Sequence, residues 1–139
     1  MLTRALFALM LICGTTAAAF AEETKVLALG LADHEVTQEE LEKGAALSTP
    51  RFNSPGVAYA LVANVKKGDE VEITLIKDDK PLLHNIETLA EDQAKLLLQA
   101  GKRGVPAGGW PEGEYHAALK ITRDGKALIE QTTNPIPFD

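Results

Sequence analysis

Apolar and polar residues alternate along several short segments of this chain, and a period of two is typical of β-strands with one buried face. The clearest segment spans residues 70–77, in which Val71, Ile73 and Leu75 share a face. Gly, Asp and Pro residues between the segments favour turns. The pattern predicts six short strands, at residues 25–31, 57–65, 70–77, 80–84, 114–122 and 126–133.

Two more of these strands have a predictable apolar face. In the second strand this face consists of Val57, Tyr59, Leu61, Ala63 and Val65. In the fifth it consists of Tyr115, Ala117, Leu119 and Ile121. We expect both faces to pack against the core of the domain.

One segment favours a helix. Thr88 and Glu91 have the spacing of an N-terminal capping box, and Gly101 stands where a glycine ends a helix. Between them the apolar residues recur at helical spacing, at Leu89, Leu96, Leu97 and Ala100. The sequence therefore predicts an α-helix that begins at Leu89 and ends at Ala100.

A second, short helix is indicated in the acidic segment that follows the first strand. Thr37 and Glu40 have capping-box spacing, and Gly44 is a possible stop. The acidic run in residues 35–42 is typical of a solvated helix face, and the alternative is a docking patch for a basic partner.

The last two strands form a hairpin around Asp124-Gly125. A two-residue turn would pair Leu119 with Glu130 and mix the two faces. A three-residue loop with Gly125 in a bulge pairs Leu119 with Ile129 instead. The apolar pattern predicts the bulged loop.

The first 21 residues have the pattern of a secretory signal peptide. Arg4 is the charged part, residues 6–13 are the apolar part, and residues 19–21 (Ala-Phe-Ala) form a small-x-small cleavage site ending at Ala21. Cleavage there predicts a periplasmic or secreted protein with one domain, residues 22–139. No later apolar run approaches the about 20 residues that a membrane-spanning helix needs.

Composition restricts the chemistry of that domain. The single Cys and both Met lie in the leader, so the domain cannot use a thiolate nucleophile, a disulfide, an Fe–S cluster or a thiolate metal site. The rival use of Cys13, as a lipoprotein attachment site, is disfavoured because Ile12 stands where a small residue is required. A formal net charge of −6 argues against nucleic acid and anionic membranes as partners.

The end of the chain carries a family resemblance. The segment Trp110-Pro-Glu-Gly-Glu-Tyr115, which enters a strand, and the Asp124-Gly125 hairpin after it resemble the final strands of immunoglobulin-like domains of bacterial exported proteins. In such domains a Tyr near the start of the penultimate strand closes a corner by bonding nearby backbone, which would be the role of Tyr115. The resemblance implies an all-β, immunoglobulin-like antiparallel β-sandwich, here with the helix inserted. The absence of a Cys pair and of a Trp on the third strand speaks against antibody-type membership.

Catalytic and metal sites have little support in the sequence. His34, His84 and His116 are far apart along the chain and lack metal-ligand spacing. Ser48 and Ser54 lie outside any Gly-x-Ser-x-Gly elbow. We therefore predict no catalytic residue, no metal and no cofactor. A small periplasmic metal-binding protein or hydrolase that uses the histidines is the alternative.

The Gly-rich stretch at residues 101–113 is the best candidate for binding. Gly108 and Gly109 allow close backbone approach, and Trp110 could offer a flat apolar surface beside Lys102 and Arg103. In the other interpretation the cations complement a helix C-terminus and Trp110 covers one end of the core. The hypothesis is an exported, non-enzymatic binding or interaction module. It contacts another periplasmic protein, or a small ligand, through this loop or through a sheet edge.

Overall fold

The computed structural model describes residues 23–102 and 104–139. The predicted signal peptide and Arg103 lie outside these residues. The described chain forms eight strands and one short helix: β1 (Lys25–Ala32), α1 (Gln38–Glu42), β2 (Gly56–Val65), β3 (Glu70–Lys77), β4 (Lys80–Thr88), β5 (Gln93–Lys102), β6 (Glu114–Arg123), β7 (Lys126–Thr132) and β8 (Ile136–Pro137).

The strands form two antiparallel sheets. One sheet has the order β1-β2-β5, and the other has the order β4-β3-β6-β7, with β8 pairing the start of β6. One hydrophobic core contains residues of both sheets. The all-β prediction with two antiparallel sheets is therefore confirmed.

The central strands β3 and β6 follow the predicted alternation. Val71, Ile73 and Leu75 on β3 are buried, and each pairs with a buried residue of β6. The predicted inward face of β6, which starts at the fully buried Tyr115, is confirmed as well. These strands are predictable because each has one face on the core and one on solvent.

Strand β2 is buried on both faces, and the predicted core face is wrong for most of its length. Ala58, Ala60 and Val62 belong to the central core, whereas Val57 and Leu61 are buried on the opposite face of the sheet. Asn64, at φ +57°, breaks the alternation, so that Val65 returns to the core.

The outer face of β2 is buried because residues 33–55, the covering segment, return along this sheet. The side-chain amide of Gln99 accepts a hydrogen bond from Val36 N (2.8 Å) and donates one to Val36 O (3.0 Å). Val36 itself is buried. The capping box at Thr37 is confirmed, and α1 is joined to β5 by an ion pair between Glu42 and Lys95.

The helix predicted from Leu89 to Ala100 is wrong, because these residues contain most of β5. Leu96, Leu98 and Ala100 are buried at a period of two, and β5 pairs with β2 along its whole length. Helix propensity amounts to at most about 0.7 kcal/mol per ordinary residue, and sheet pairing with core burial outweighs it. Gly101 does not end a helix: a Cβ there would lie 2.3 Å from Gly56 O on β2.

Three edge strands each contain one bulge, and the extra residue is a leucine every time. Leu27 on β1, Leu82 on β4 and Leu128 on β7 stand at the register shifts, and each is 43 or 44 % exposed. The remaining edge strand, β5, is contacted by β4. Asn85 on β4 donates its side-chain N–H to the backbone oxygen of Gln99 on β5 (2.9 Å). Bulges twist an edge away from further strand pairing.

The bulge on β7 also corrects the predicted hairpin register. Arg123 pairs with Lys126, so Asp124 and Gly125 form a two-residue turn, with φ values of +53° and +77°. Positive φ at both central positions is the requirement of a type I′ turn. The extra residue is Leu128 rather than Gly125, and it brings Ile129 opposite Ile121.

One end of the sandwich is joined by an ion pair between the buried Asp69, after β2, and the partly exposed Arg123 at the end of β6. The two oxygens of Asp69 accept hydrogen bonds from Arg123 Nε (2.8 Å) and Nη2 (2.7 Å). Asp69 also accepts from Lys66 N through its side chain and from Leu89 N through its backbone oxygen. Asp69 is fully buried, and this is the polar end of the molecule.

We expect Asp69→Asn to lower the free energy of unfolding by about 2 kcal/mol, because the partly exposed guanidinium of Arg123 loses its charged partner and a buried oxygen acceptor at position 69 is replaced by an amide N–H2 group. Urea unfolding followed by the fluorescence of Trp110 measures this. Lys43→Ala is the control, since Lys43 and Glu39 form an exposed pair whose loss should change stability by about 0.5 kcal/mol or less. Equal effects of the two substitutions would contradict the structural role of Asp69.

The ion pair between Asp69 and Arg123 also predicts that the protein loses stability at acidic pH. The hydrogen bonds from Arg123 are the main cause that lowers the pKa of the Asp69 carboxyl. Its contribution is therefore complete above the unfolded-state pKa of about 3.9 and is lost as the pH falls through the lower folded-state value. Stability curves of the wild type and of Asp69→Asn should converge below about pH 4. A difference that stays constant as the pH falls well below 4 would refute this assignment.

Candidate functional site at the aromatic end

The opposite end of the sandwich is closed by aromatic rings. Strand β8 pairs with Glu114 and Tyr115 and so brings Phe138 onto Tyr115. These two rings stack with centroids 3.9 Å apart, and Trp110 packs edge-on against Tyr115 (5.9 Å) and Phe138 (5.5 Å). We call this region, with Phe52, the aromatic end.

Trp110 is part of the core, 6 % exposed. Its indole Nε1 donates a hydrogen bond to Ser54 O at 2.8 Å. A Cβ on Gly56 would stand 2.9 Å from the indole ring, so β2 passes directly beneath it. The indole therefore covers the end of the core and presents little surface to a ligand.

Two glycines of the candidate loop have backbone angles that favour glycine. Gly108 and Gly109 have φ values of +78° and +88°, and Gly109 N donates to Pro106 O at 2.8 Å. A Cβ on Gly109 would stand 2.8 Å from Cδ2 of Phe52. The turn thus lets the backbone of the loop approach the ring of Phe52.

Of the two predicted cations, only the backbone of Lys102 is placed. Lys102 ends β5, where its partner in the sheet is Gly56. Arg103 lies outside the described residues. The structure therefore brings Gly109 and Trp110 together with Phe52, a residue that the sequence analysis did not select.

Phe52 is the exposed aromatic side chain of this end. Its backbone is fixed twice: Phe52 N donates to Asp139 O (3.0 Å), and Phe52 O accepts from Trp110 N (2.8 Å). Its side chain is nevertheless 50 % exposed. The only sequence signal was its place between Pro50 and Pro55, which indicated a turn and gave no indication of what the turn lies against.

A groove of about 580 Å³ opens beside Phe52. Its lining consists of Phe52, Trp110, Glu112, Gly113, Glu114, Pro137, Phe138 and Asp139. The lining thus combines three aromatic rings with three carboxylates. Within residues 23–102 and 104–139, the side chains of Glu112, Glu114 and Asp139 have no ion-pair or hydrogen-bond partner.

The three histidines lie on separate elements. His34 follows β1, with its ring nitrogens 2.8 Å from Asp33 Oδ1 and 2.8 Å from Glu40 Oε2. Both hydrogen bonds raise the pKa of His34 above its usual value, and the bond with Asp33 has the larger effect. His84 on β4 contacts Glu72, and His116 lies on β6 opposite Ile76.

The side chain of Ser54 is bonded within its own turn. Ser54 Oγ accepts from Arg51 N (2.8 Å) and contacts Pro55 O (2.9 Å), so its hydroxyl serves the turn. Among the described residues, no three His, Cys, Asp or Glu side chains are arranged to hold a metal ion. Likewise, none of the helices in this part of the chain is long and apolar enough to cross a membrane.

Neither a protein-family model nor a curated protein matches the chain. A function for this chain therefore has to be inferred from the residues of the aromatic end and from the sheet edges.

We expect Trp110→Ala to destabilise the protein by about 4 kcal/mol, because it removes a buried ring and leaves a cavity among Tyr115, Phe138 and Gly56. Thermal unfolding followed by far-UV circular dichroism measures this. Phe52→Ala is the comparison and should cost less than about 1 kcal/mol, since half of its ring is already in water. The reverse order of the two effects would show that Phe52, not Trp110, belongs to the core.

Proposed function

We propose that the protein is an exported, non-enzymatic interaction module of immunoglobulin-like type that contacts another protein through its aromatic end. In immunoglobulin-type domains the first, second and fifth strands share one sheet, and the third, sixth and seventh share the other. The order β1-β2-β5 and β4-β3-β6-β7 agrees with this division for the first seven strands except the fourth. The fourth strand differs from constant-type domains, because it pairs with the third strand and not with the sheet of the fifth. The hydrogen bond from the Tyr115 hydroxyl to Pro111 O supports the same assignment.

Export rests on the leader. The charged Arg4, the apolar run and the small residues before Glu22 match the signal for secretion. A domain without cysteine folds in an oxidising compartment without the risk of wrong disulfides. The compartment we propose is the periplasm or the medium.

The single observation that favours the aromatic end as contact surface is Phe52. An aromatic ring that is half exposed on a backbone held by two hydrogen bonds loses little conformational entropy when a partner covers it. Aromatic residues are also enriched in protein interfaces. The ring of Phe52 also lies against the Gly-rich loop, which the sequence had indicated as a candidate for binding.

The sheet edges are the weaker alternative within the same function. A partner strand that added to β1, β4 or β7 would meet a bulge at Leu27, Leu82 or Leu128. On β5 it would meet the Asn85 side chain, already bonded to Gln99 O. Strand addition needs a regular row of free backbone groups, so these features favour the aromatic end.

A photo-crosslinking amino acid in place of Phe52 tests the proposal. Expressed with its leader in a bacterial host, the protein should form a defined cross-linked product in the periplasm from this position. The same amino acid in place of Leu128 is the matched control, because Leu128 has similar exposure but lies on an edge strand. Products from the control position alone would favour the sheet edge, and products from neither position would refute the proposal.

A further inference from the structure

We infer that the groove beside Phe52 receives an arginine side chain of the partner protein. The inference rests on the proposed function and specifies the chemistry of its contact surface. Three observations carry it: an exposed aromatic ring, unpaired carboxylates in the lining, and the presence of a single free ring face.

The first observation is the ring itself. One edge of Phe52 rests against the backbone of Gly109, and the exposed half borders the groove. A planar guanidinium stacks on an aromatic face and is weakly hydrated, so it leaves water for such a surface more readily than an ammonium does. The backbone of Phe52 is already held by two hydrogen bonds, so a partner need not order this segment when it binds.

The second observation is charge. Glu112, Glu114 and Asp139 line the groove, and its described lining contains no Lys, Arg or His. A cation that enters would therefore meet carboxylates that no other cation occupies. Arginine can bond a carboxylate through two parallel N–H groups, which fixes its orientation while it stacks.

The third observation selects among cations. Cages for quaternary ammonium groups use several exposed ring faces. Here Trp110 and Phe138 are 6 % and 7 % exposed, so Phe52 alone offers a free face. One face with carboxylates at its side fits a flat cation better than a spherical one. Lysine, a compact point charge, would gain the ion pair without the stacking.

The test uses the leader-processed protein, labelled with ¹⁵N, and three capped tripeptides. Gly-Arg-Gly is the probe, Gly-Lys-Gly tests the shape of the cation, and the tripeptide with citrulline keeps the planar group without its charge. We expect saturable shifts from the arginine peptide at the amides of Phe52, Gly113 and Glu114 and at the indole N–H of Trp110. The lysine peptide should bind more weakly, and the citrulline peptide should cause no saturable shift.

Two variants assign the effect to the groove. Phe52→Leu keeps an apolar side chain but removes the ring, and Glu112→Gln with Glu114→Gln removes two charges. Each should weaken arginine binding about tenfold, which corresponds to about 1.4 kcal/mol. Glu130→Gln, on the exposed face of β7, removes a charge elsewhere and should leave binding unchanged.

The inference is overturned if citrulline and arginine give the same shifts, if the shifts lie outside the groove, or if the arginine peptide causes none. These outcomes are separable from the cross-linking result. A partner cross-linked at Phe52 together with equal responses to arginine and citrulline would keep the proposed contact surface and reject arginine as its ligand. Arginine binding without any cross-linked partner would keep arginine as a ligand of the groove and reject the proposed contact with a partner protein.

Discussion

The buried carboxylate of Asp69 is the constraint on which the arrangement of the two sheets depends. An ionised group without solvent is strongly unfavourable unless its oxygens are fully bonded. Asp69 meets this requirement with two hydrogen bonds from Arg123 and one from Lys66 N. Its backbone also bonds Leu89, the residue that begins the passage from β4 to β5. One residue thus ties the β2–β3 turn, the end of β6 and the crossover between the sheets.

The aromatic end is closed by a different interaction from the polar end. There the strands are closed by packing, with Phe138 stacked on Tyr115 and Trp110 against both. The tail after β7 supplies Phe138, so the last residues of the chain complete the core. The covering segment, which is bonded to the same cluster through Ser54, places Phe52 outside it. The candidate groove is therefore a consequence of how the core is closed.

The three bulged leucines show how edge strands of irregular register still supply the core. A bulge puts an extra residue on the strand and changes which side chains face inward. After Leu128 the register of β7 brings Ile129 opposite Ile121, and after Leu82 that of β4 brings Leu83 opposite Leu75. Leu83 and Ile129 pack against the core, while the extra leucines remain outside. The same irregularity disfavours the pairing of edge strands with other chains.

The sequence by itself determined β3 and β6, the strands with one face on the core and one on solvent. Their apolar and polar residues alternate, so the pattern can be recognised from residue type alone. The sequence also determined the capped start of α1, since a capping box is a local interaction. Tertiary structure decided the rest. β5 is a strand because β2 lies beside it, and β2 is buried on both faces because the covering segment returns over it. The aromatic end was indicated by Trp110, but only packing showed that Trp110 is inside and Phe52 outside. Exposure depends on what the distant parts of the chain cover, and no pattern of neighbouring residues contains that information.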